Sequence, residues 1–471
     1  MLQLAAPELA DWVALEHGGT QVTIKELAGE MCRAAGALAG SPGVVAVSTP
    51  DPILHTVAVL GAVAAGRTAL LVDPKQPDGL LADVAQLAGA TTTVGRPVAG
   101  LPDVTADDLR AAPPAAPAPA PGDRIGSIFL TSGSTGLPKL VQRSRSADLH
   151  AAMCLRLAGF PIDLGDRHWL SVPYAGAPFL TLLMGSLLAR ATVVIAPFSR
   201  ASVDQILREH RISSAYLVPT MLRLAREHDG LDGAGWRGLR GLMTGGEKLD
   251  DATARLLLER FPGRVFCAYG MTESPRLTQA TLEEFVARPG TVGRTIPFRQ
   301  ARIVEPGGEG AVPAGQEGEV LVAGPDLFTG YVGQPPTGAW YRTGDLGRID
   351  ADGYLYITGR ASSVVKVGGN RVSTEEVSAM LRAHDDVAQA AVIALDDPTW
   401  TTRLVGFVVA RAGTELDATA LRDWMAARQP GYKVPRAIHL LAELPVDSSG
   451  KLSLRRLEEL AGATDGAAGS E

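Results

Sequence analysis

The sequence predicts an α/β protein, in which a large N-terminal region of βαβ-type parallel sheets with a small β subdomain precedes a small α+β C-terminal domain. Apolar runs alternate with segments of helical spacing up to about residue 270, short strands with glycine-rich turns occupy 291–358, and the remaining residues combine apolar strands with amphipathic helices. With 471 residues and 46% hydrophobic content, the chain is long enough for two or three domains with substantial cores.

The N-terminal elements alternate between helix and strand. VTIKELAGEMCRAAGALA has helical spacing, GVVAVSTP predicts a strand, HTVAVLGAVAAG a helix and TALLVDP a second strand. Over 165–270 the strand candidates TVVIAPF and SAYLVP accompany the amphipathic segments VDQILREHR and DATARLLLERF. Strands separated by helices predict parallel sheets covered on both faces, with ligand-binding loops at the carboxyl ends of the strands.

Two connections divide this pattern. AAPPAAPAPAPGD, at 111–123, is too rich in proline for a helix or a central strand, so we expect an exposed connection there. Polar residues intervene at 359–363, after the strand candidates GEVLVAGP and GYLYITG and before AQAAVIAL and RLVGFVVA. We place the main boundary at this point, which gives an N-terminal domain over 1–360 and a C-terminal domain over 361–471.

Composition excludes several classes of protein. Lys and Arg total 44 against 51 for Asp and Glu, so the formal charge is -7 and nucleic acid is not an expected main partner. No apolar run approaches the roughly 20 residues of a membrane span, and the acidic N-terminus does not resemble a secretory signal, so we expect a cytoplasmic protein. Cys32, Cys154 and Cys267 are widely separated, which argues against disulfides and thiolate metal sites, and the histidines lack zinc-binding spacing.

The stretch LTSGSTGLPKL, at 130–140, has the composition of a phosphate-binding loop. Its glycines permit close backbone approach, and its hydroxyls and lysine offer donors to phosphate oxygens. It fits neither the Walker pattern GxxxxGK[ST] nor the nucleophile elbow GxSxG, and a plain surface connection is the alternative. The candidate phosphate contacts are Thr131, Ser132, Gly133, Ser134, Thr135, Gly136 and Lys139.

Two further stretches contain acidic residues beside hydroxyl groups. FCAYGMTESP puts Thr272 and Glu273 at the carboxyl end of a strand, where they can hold Mg²⁺ and a phosphate; an ordinary strand-to-loop exit is the alternative. AWYRTGDLG puts Asp345 in a predicted tight turn between strands, where an aspartate that only hydrogen-bonds its own turn is the alternative.

Basic residues mark two stretches nearer the C-terminus. GRASSVVKVGGNRVSTEEV contains Arg360 and Lys366, a Gly-Gly turn, and a helix start with a predicted capping box of Ser373 and Glu376. LPVDSSGKLSLRRL places Lys451 on a glycine-preceded turn, where a solvated lysine is the alternative to a functional one.

Taken in order, TSGSTGLPK, YGMTE, YRTGD, VKVGGNRVSTEEV and PVDSSGK resemble the motifs of the AMP-forming adenylating superfamily, which contains acyl-CoA and aryl-CoA ligases, adenylation domains of peptide synthetases, and luciferases. The resemblance covers about residues 20 to 460. It implies that ATP activates a carboxylic acid as an acyl adenylate with release of pyrophosphate. It also implies that a small mobile C-terminal domain then rotates so that the acyl group passes to the thiol of coenzyme A or of a carrier protein's phosphopantetheine.

The resemblance implies a role for each motif in binding ATP. The loop would hold the β and γ phosphates, Glu273 would bind Mg²⁺ with Thr272 near the α-phosphate, and Asp345 would accept both ribose hydroxyls with help from Arg360. Tyr269 would pack on adenine beside a glycine-rich turn. The remaining expected nucleotide contacts are Gly245, Gly246 and Glu247 in that turn, and Gly270 and Met271 in YGMTE.

The C-terminal motifs would serve both half-reactions. The resemblance implies that Lys451 bridges the substrate carboxylate and the α-phosphate, where negative charge develops. Lys366 and Gly369 belong to the turn that would reach the thiol channel after rotation about a hinge at Ser362. Relatives commonly have Asp or Lys at this hinge, so the second half-reaction is the step that Ser362 brings into question.

The identity of the acid is indicated by two segments. PKLVQRS looks like the PKLIPRTH stretch of aryl-acid adenylating enzymes, with Leu140 and Arg143 matching and Arg145 in place of the histidine. VPYAGAPFL lacks the aspartate that would pair with an amino acid's ammonium group. A neutral, apolar or aromatic acid is therefore expected in a pocket that includes Tyr174, Ala175, Gly176 and Phe179, although these residues also suit a plain core.

Three functions remain open from the sequence. The first is an acid ligase that uses coenzyme A, the second a stand-alone enzyme that loads a carrier protein, and the third a nucleotide-binding relative without turnover. The presence of all the motif residues argues against the third.

Overall fold

A computed structural model describes residues 10–40, 43–131, 138–199, 203–361, 364–367, 370–397, 401–446 and 452–468. It confirms the mixed α/β class with parallel sheets and a smaller β-rich C-terminal part. Each segment quoted above as a strand or a helix forms that element.

The chain divides into two compact units. Unit 1 comprises Met1–Arg302, Leu321–Tyr341 and Ile349–Tyr356, and unit 2 comprises Ile303–Val320, Arg342–Arg348 and Ile357–Glu471. The strands that precede residue 360 contribute residues to both units, so the division into units does not test a boundary at 360/361. The two-domain boundary stays a prediction.

The helices within the described residues are α1 Ile24–Leu38, α2 Pro52–Ala64, α3 Asp78–Leu87, α4 Ala106–Ala111, α5 Arg145–Leu157, α6 Ala177–Leu188, α7 Val203–Glu209, α8 Pro219–Asp229, α9 Ala234–Gly238, α10 Asp251–Arg260, α11 Leu282–Ala287, α12 Thr374–Arg382, α13 Ala418–Ala426 and α14 Leu454–Ala468.

The strands within the same residues are β1 Val13–His17, β2 Thr20–Thr23, β3 Val44–Ser48, β4 Thr68–Leu71, β5 Ala90–Gly95, β6 Asp103–Val104, β7 Ile125–Thr131, β8 Lys139–Ser144, β9 Arg167–Leu170, β10 Thr192–Ile195, β11 Ser214–Tyr216, β12 Gly241–Gly245, β13 Arg264–Met271, β14 Ser274–Thr281, β15 Thr291–Thr295, β16 Gln300–Val304, β17 Gly318–Ala323, β18 Gly330–Tyr331, β19 Tyr341–Ile349, β20 Leu355–Arg360, β21 Val364–Val367, β22 Asn370–Ser373, β23 Val387–Asp397, β24 Thr401–Ala410 and β25 Ala437–Leu440.

Unit 1 contains two sheets with parallel centres. In one sheet the order is β18-β8-β7-β4-β3-β5-β6, and the strands from β7 to β6 are parallel while β8 and β18 are antiparallel. In the other, β13, β12, β11, β9, β10 and β1 are parallel neighbours, flanked by antiparallel β14 and β2. The antiparallel hairpins β7–β8 and β13–β14 each border the parallel part of a sheet, and they carry the motifs TSGSTGLPK and YGMTE.

Local signals in the sequence fix where the first helices begin. Thr23 caps α1, because its side chain accepts a hydrogen bond from the backbone of Glu26 at 3.2 Å while the Glu26 carboxylate accepts one from the Thr23 backbone at 2.8 Å. Asp51 caps α2 through a bond from the Ile53 backbone at 2.8 Å, and Pro52 occupies the first turn. The turn of α2 that follows this N-terminus is buried in the core of unit 1.

The proline-rich connection contacts two helices. Its backbone donates hydrogen bonds from Ala115 to the carbonyl of Cys32 in α1 at 2.9 Å and from Ala118 to the carbonyl of Ala64 in α2 at 2.7 Å. The expectation of an exposed, irregular connection is confirmed for most of these residues; only Ala112, Ala115, Pro117 and Ala120 are half-buried.

Unit 2 has its own core on a three-stranded sheet. β23 and β24 form a long antiparallel pair, and β25 lies parallel to β24. Val377 and Leu381 of α12 and Leu421 of α13 are buried with strand residues, and Leu457 of α14 is buried in a second cluster with Phe407. This packing explains the amphipathic pattern of the C-terminal helices.

Unit 1 also buries charged side chains. Arg299 and Asp326 form an ion pair at 2.7 Å with both side chains fully buried, and an Arg299 nitrogen lies 3.2 Å from the sulfur of Cys154. A buried charge that loses its partner destabilises a protein strongly, whereas an exposed pair contributes little.

We therefore predict that Asp326→Asn lowers the free energy of unfolding of unit 1 by about 3–5 kcal/mol, because Arg299 is left as an uncompensated buried charge. The matched control is Asp163→Asn, which breaks the exposed pair between Arg156 and Asp163 and should change the same quantity by at most about 1 kcal/mol. Urea unfolding followed by tryptophan fluorescence measures both. Equal losses in the two variants would contradict this assignment.

Candidate functional site

The predicted phosphate loop connects the two strands of a hairpin. Strand β7 ends at Thr131 and β8 begins at Lys139; these residues are opposite in register, and the Thr131 hydroxyl contacts the Lys139 carbonyl at 3.4 Å. Residues 132–137, which include Ser132, Gly133, Ser134, Thr135 and Gly136, lie outside the described residues. Strand β7, which leads into these residues, is mostly buried, and the phosphate-binding role of the loop remains a prediction.

The YGMTE motif occupies a second hairpin. Met271 pairs with Ser274, so Thr272 and Glu273 form the turn between β13 and β14. Glu273 is only 9% exposed, and its backbone carbonyl accepts a hydrogen bond from Phe328 at 2.8 Å. Its carboxylate is thus held at a defined place at the end of the strand.

Tyr331 contacts functional candidates from both hairpins. Its hydroxyl donates to Oε1 of Glu273 at 2.6 Å, and the Lys139 ammonium lies 5.2 Å from the centre of its ring. Tyr331 itself lies in β18, paired with Val141 of β8. Burial and the hydrogen bond to Glu273 raise the pKa of Tyr331, so the phenol stays protonated as a donor.

Two more aromatic residues surround this tyrosine. The hydroxyls of Tyr331 and Tyr341 are 2.9 Å apart, and the Phe328 ring lies edge-on to both at 5.0 and 4.8 Å. Sequence reasoning missed all three residues. Their positions 328, 331 and 341 show no helical or strand period, so only the fold brings them together.

The predicted adenine site combines a turn after β12 with β13. Gly245, the last residue of β12, lies opposite Ala268 of the parallel strand β13. The turn that begins after Gly245 is therefore next to Tyr269. Glu247 binds the start of α8, where its carboxylate accepts from the Thr220 hydroxyl at 2.6 Å and from the Thr220 backbone at 3.2 Å. This contact accounts for the position of Glu247 without a ligand, and its nucleotide role remains a prediction.

Gly270 is required by packing within the second hairpin. A Cβ at this position would lie 2.2 Å from the backbone nitrogen of Arg276, which itself has a positive φ of 48°. The close approach leaves no space for a side chain. Gly246 and Met271 lie in the same two segments, the first in the turn and the second at the end of β13.

Asp345 and Arg360 form an ion pair within unit 2. Arg360 Nε lies 2.9 Å from Oδ1 of Asp345, which is 4% exposed, while most of the arginine side chain is exposed. The prediction of a tight turn at Asp345 is wrong, because this residue lies inside β19. Gly344 has a φ of 73°, and the Thr343 hydroxyl accepts a hydrogen bond from the Asp345 backbone at 3.0 Å. The strand is therefore irregular at this point, which explains why its sequence resembles that of a turn.

The other C-terminal candidates are described only in part. Lys366 lies in β21 opposite Arg371 of β22. Ser362, Gly369 and Lys451 lie outside the described residues. Ser373 caps α12 as predicted.

The predicted capping box is formed by half. The Ser373 hydroxyl accepts from the Glu376 backbone at 3.3 Å, but the Glu376 carboxylate contacts the Lys433 ammonium at 2.6 Å. A charged partner attracts the glutamate more strongly than the neutral backbone of its own helix start.

The aryl-type match after the loop has a structural explanation. The Arg143 side chain is fully buried, pairs with Asp148 at 3.1 Å and packs on the Phe129 ring at 5.9 Å. Arg145 donates a hydrogen bond to the carbonyl of Val63. Both arginines are therefore occupied by contacts with the protein itself.

The predicted acid pocket lies where VPYAGAPFL enters α6. Gly176 precedes the helix, Phe179 is buried in its first turn, and Ala175 is half-buried. Tyr174 donates its hydroxyl to the carbonyl of Thr49 at 2.9 Å, and burial raises its pKa to about 12. The Tyr174 and Phe179 rings meet edge-on at 6.3 Å, which forms an aromatic surface.

His55 of α2 is a second residue that sequence reasoning missed. Its ring lies 5.0 Å from that of Tyr174, it is 1% exposed, and neither ring nitrogen has a hydrogen-bond partner. Burial lowers its pKa to about 3, so it is neutral at physiological pH. A very small, partly open cavity lies between His55, Tyr174 and Phe179. A single histidine within an apolar helical segment gave no sequence signal.

The described residues contain no group of three or more His, Cys, Asp or Glu side chains arranged to hold a metal ion. Within the same part of the chain, no helix combines the length and apolar character needed to cross a membrane. Cys154 and Cys267 are buried free thiols and Cys32 is half-buried, as expected for core residues.

Comparison with known families yields two matches. The model of the AMP-binding enzyme family matches residues 2–332, and that of the AMP-binding enzyme C-terminal domain matches residues 376–451.

Individual relatives match most of the chain. Feruloyl-CoA synthase of Amycolatopsis sp. is 30% identical over 93% of this chain and 94% of its own length. 2-Succinylbenzoate–CoA ligase of Bacillus licheniformis is 31% identical over 71% of this chain and 70% of its own. The fold is shared with ATP-bound MatB of Rhodopseudomonas palustris, with a TM-score of 0.87 and 24% identity over 96% of both chains.

Proposed function

The chain belongs to the AMP-binding enzyme family, and on this premise we propose that it is an AMP-forming ligase that activates an aryl or apolar carboxylic acid and transfers it to coenzyme A. The observation that carries the proposal is the contact of Lys139 and Glu273 with the same tyrosine, Tyr331. A cation beside a phosphate loop and a fixed carboxylate are the two groups that a magnesium triphosphate needs.

A single carboxylate suits Mg²⁺ in this setting. Nucleotide enzymes bind Mg²⁺ through one or two carboxylates and complete its octahedron with phosphate oxygens and water. Glu273 presents such a carboxylate, with one oxygen bound by Tyr331. Bound Mg²⁺ would neutralise charge on the triphosphate.

The first half-reaction requires the acid's oxygen to attack the α-phosphorus of ATP and expel pyrophosphate. Lys139 and the backbone of its loop bind the β and γ phosphates, and Thr272 lies beside the metal-binding carboxylate. Lys451 donates to the substrate carboxylate and the α-phosphate as negative charge grows there. These groups act by position and charge, which is how phosphoryl and nucleotidyl transfer is accelerated.

The nucleoside end of ATP is recognised by separate groups. Tyr269 stacks on adenine beside the turn from Gly245 to Glu247. Asp345, held by Arg360 at 2.9 Å, accepts the ribose hydroxyls. The ion pair holds this aspartate in one orientation, which a two-point acceptor requires.

The second half-reaction assigns a role to the C-terminal residues. We propose a domain over 361–471 that rotates at Ser362 and brings the turn of Lys366 and Gly369 to the thiol. Two relatives named as CoA ligases, one for ferulate and one for 2-succinylbenzoate, support coenzyme A as acceptor and an aryl acid as substrate. The aromatic surface of Tyr174 and Phe179 is compatible with such an acid.

Acid-dependent release of pyrophosphate tests this function. We predict that the protein, ATP and Mg²⁺ release pyrophosphate with at least one member of a panel of benzoates, cinnamates and fatty acids, and that coenzyme A then yields a thioester. Thioester formation only on a phosphopantetheinylated carrier protein would favour the alternative function, in which a carrier protein rather than coenzyme A is the acceptor. No release with any acid would contradict the proposal.

We predict that Lys451→Ala lowers acid-dependent pyrophosphate release by roughly a hundred- to a thousandfold, because one preorganised donor to the developing charge is lost. ATP affinity, measured by calorimetry, should stay within a few fold. The control is Lys433→Ala, which removes a lysine paired with Glu376 in unit 2 and should leave release nearly unchanged. Unchanged release in Lys451→Ala would contradict its assigned role.

A further inference from the structure

His55 is a buried polar group whose hydrogen-bonding capacity is unused. Both ring nitrogens lack partners, and the side chain is 1% exposed. Leaving a buried donor or acceptor unsatisfied destabilises a fold, so a partner supplied by a ligand would recover this loss. His168 shows the ordinary alternative, since that buried histidine has a ring nitrogen 2.8 Å from the Ser214 hydroxyl.

The cavity beside His55 offers a guest few polar atoms other than the imidazole. The Thr56 hydroxyl donates to the Pro52 carbonyl at 2.8 Å, and the Tyr174 hydroxyl donates to the Thr49 carbonyl at 2.9 Å. The other side chains that line the cavity are Val59, Leu71, Phe179, Leu180 and Leu183, all apolar.

We propose that this cavity is a subsite for a neutral hydroxyl or similar oxygen substituent of the acid, and that His55 binds this substituent. A neutral imidazole donates from one nitrogen and accepts at the other, so whichever nitrogen faces the hydroxyl can bind it, as a donor or as an acceptor. The apolar lining excludes a second charge, and the cavity is so small that it suits a single hydroxyl-sized group rather than another ring. His55 is thus a specificity residue for oxygenated aryl acids.

This inference rests on the proposed function, since it uses Tyr174 and Phe179 as walls of the acid pocket. It adds a determinant on α2, an element distant in sequence from VPYAGAPFL, and names the chemical group that the site would select.

The experiment compares matched acids that differ by one ring hydroxyl: benzoate with its three monohydroxy derivatives, and cinnamate with 4-hydroxycinnamate. We predict that the wild-type protein prefers at least one hydroxylated acid in kcat/KM, and that His55→Phe lowers this preference by roughly ten- to a hundredfold. The kcat/KM for the parent acid should stay within a few fold. His55→Gln, which keeps a donor and an acceptor, should retain part of the preference.

The control and a second readout separate the possible outcomes. Thr56→Val alters the same cavity but removes a hydroxyl already bound to Pro52, so it should leave the preference unchanged. Calorimetry of the same acids without turnover measures binding directly. An unchanged preference in His55→Phe with active enzyme would overturn the subsite alone, whereas absence of acid-dependent pyrophosphate release would contradict the proposed function. Calorimetry that shows no hydroxyl-dependent binding in the wild type would overturn the subsite in either case.

A different observation assigns a role to Tyr331. This phenol has one proton, which it donates to Glu273 at 2.6 Å, so the neighbouring hydroxyl at 2.9 Å must be a donor to it. The resulting chain runs from Tyr341 through Tyr331 to the carboxylate. Such a chain fixes one oxygen of Glu273 and leaves the other for a cation.

The geometry points to Tyr331 as the positioning residue for the metal-binding carboxylate in the proposed function. Hydrogen bonds to metal-ligating carboxylates orient them, and loss of such a partner commonly weakens metal affinity ten- to a hundredfold. The Tyr331 ring also lies beneath the Lys139 ammonium, so its aromatic and hydroxyl parts contact different functional groups.

We predict that Tyr331→Phe, which keeps the ring and removes the hydroxyl, weakens Mn²⁺ binding to the ATP complex by roughly ten- to a hundredfold in electron paramagnetic resonance titrations. Affinity for ATP without metal should stay within a few fold. The matched control is Tyr354→Phe, because Tyr354 donates to Glu284 at the same 2.6 Å elsewhere in unit 1 and should have no effect.

Glu273→Gln separates this inference from the proposed function. Loss of Mn²⁺ binding in Glu273→Gln together with wild-type affinity in Tyr331→Phe would overturn the positioning role alone. Wild-type affinity in both variants would overturn the metal role of Glu273 as well.

Discussion

The hydrogen bond between the Tyr331 hydroxyl and Glu273 is the interaction on which the candidate site depends. It joins two different sheets, because Tyr331 pairs with β8 while Glu273 lies in the turn after β13. Each hairpin is anchored on buried parallel strands, so the two functional groups are fixed by the cores of unit 1. The distance between them follows from the packing of that unit rather than from flexible loops.

Sequence patterns predict much of the fold because burial imposes period and composition. The apolar runs of β3, β4 and β10 and the helical spacing of α1 and α2 all correspond to observed elements. Asp345 shows where local patterns fail. A strand that contains a glycine with positive φ has a local sequence like that of a turn, so the two cannot be told apart by composition. Tyr331 and His55 escaped prediction because their significance lies in contacts between distant segments, which no local period records.

Buried polar side chains in unit 1 fall into two kinds. Arg143 and Arg299 have carboxylate partners, and these pairs satisfy charges that the fold itself has enclosed. His55 has no hydrogen-bond partner and lies beside a small cavity, and burial lowers its pKa so that the ring is neutral. The first kind contributes to stability, whereas the second is a buried group for which the described residues supply no hydrogen-bond partner.

The position of Lys139 over an aromatic face has a kinetic consequence. An ammonium held by an ion pair must break that pair before it can receive another anion, but the Tyr331 ring attracts the cation without cancelling its charge. If Lys139 has the proposed role, a triphosphate that approaches the hairpin meets a cation that has no ion-pair partner among the described residues. The aromatic ring then orients the lysine without competing with the phosphate for its charge.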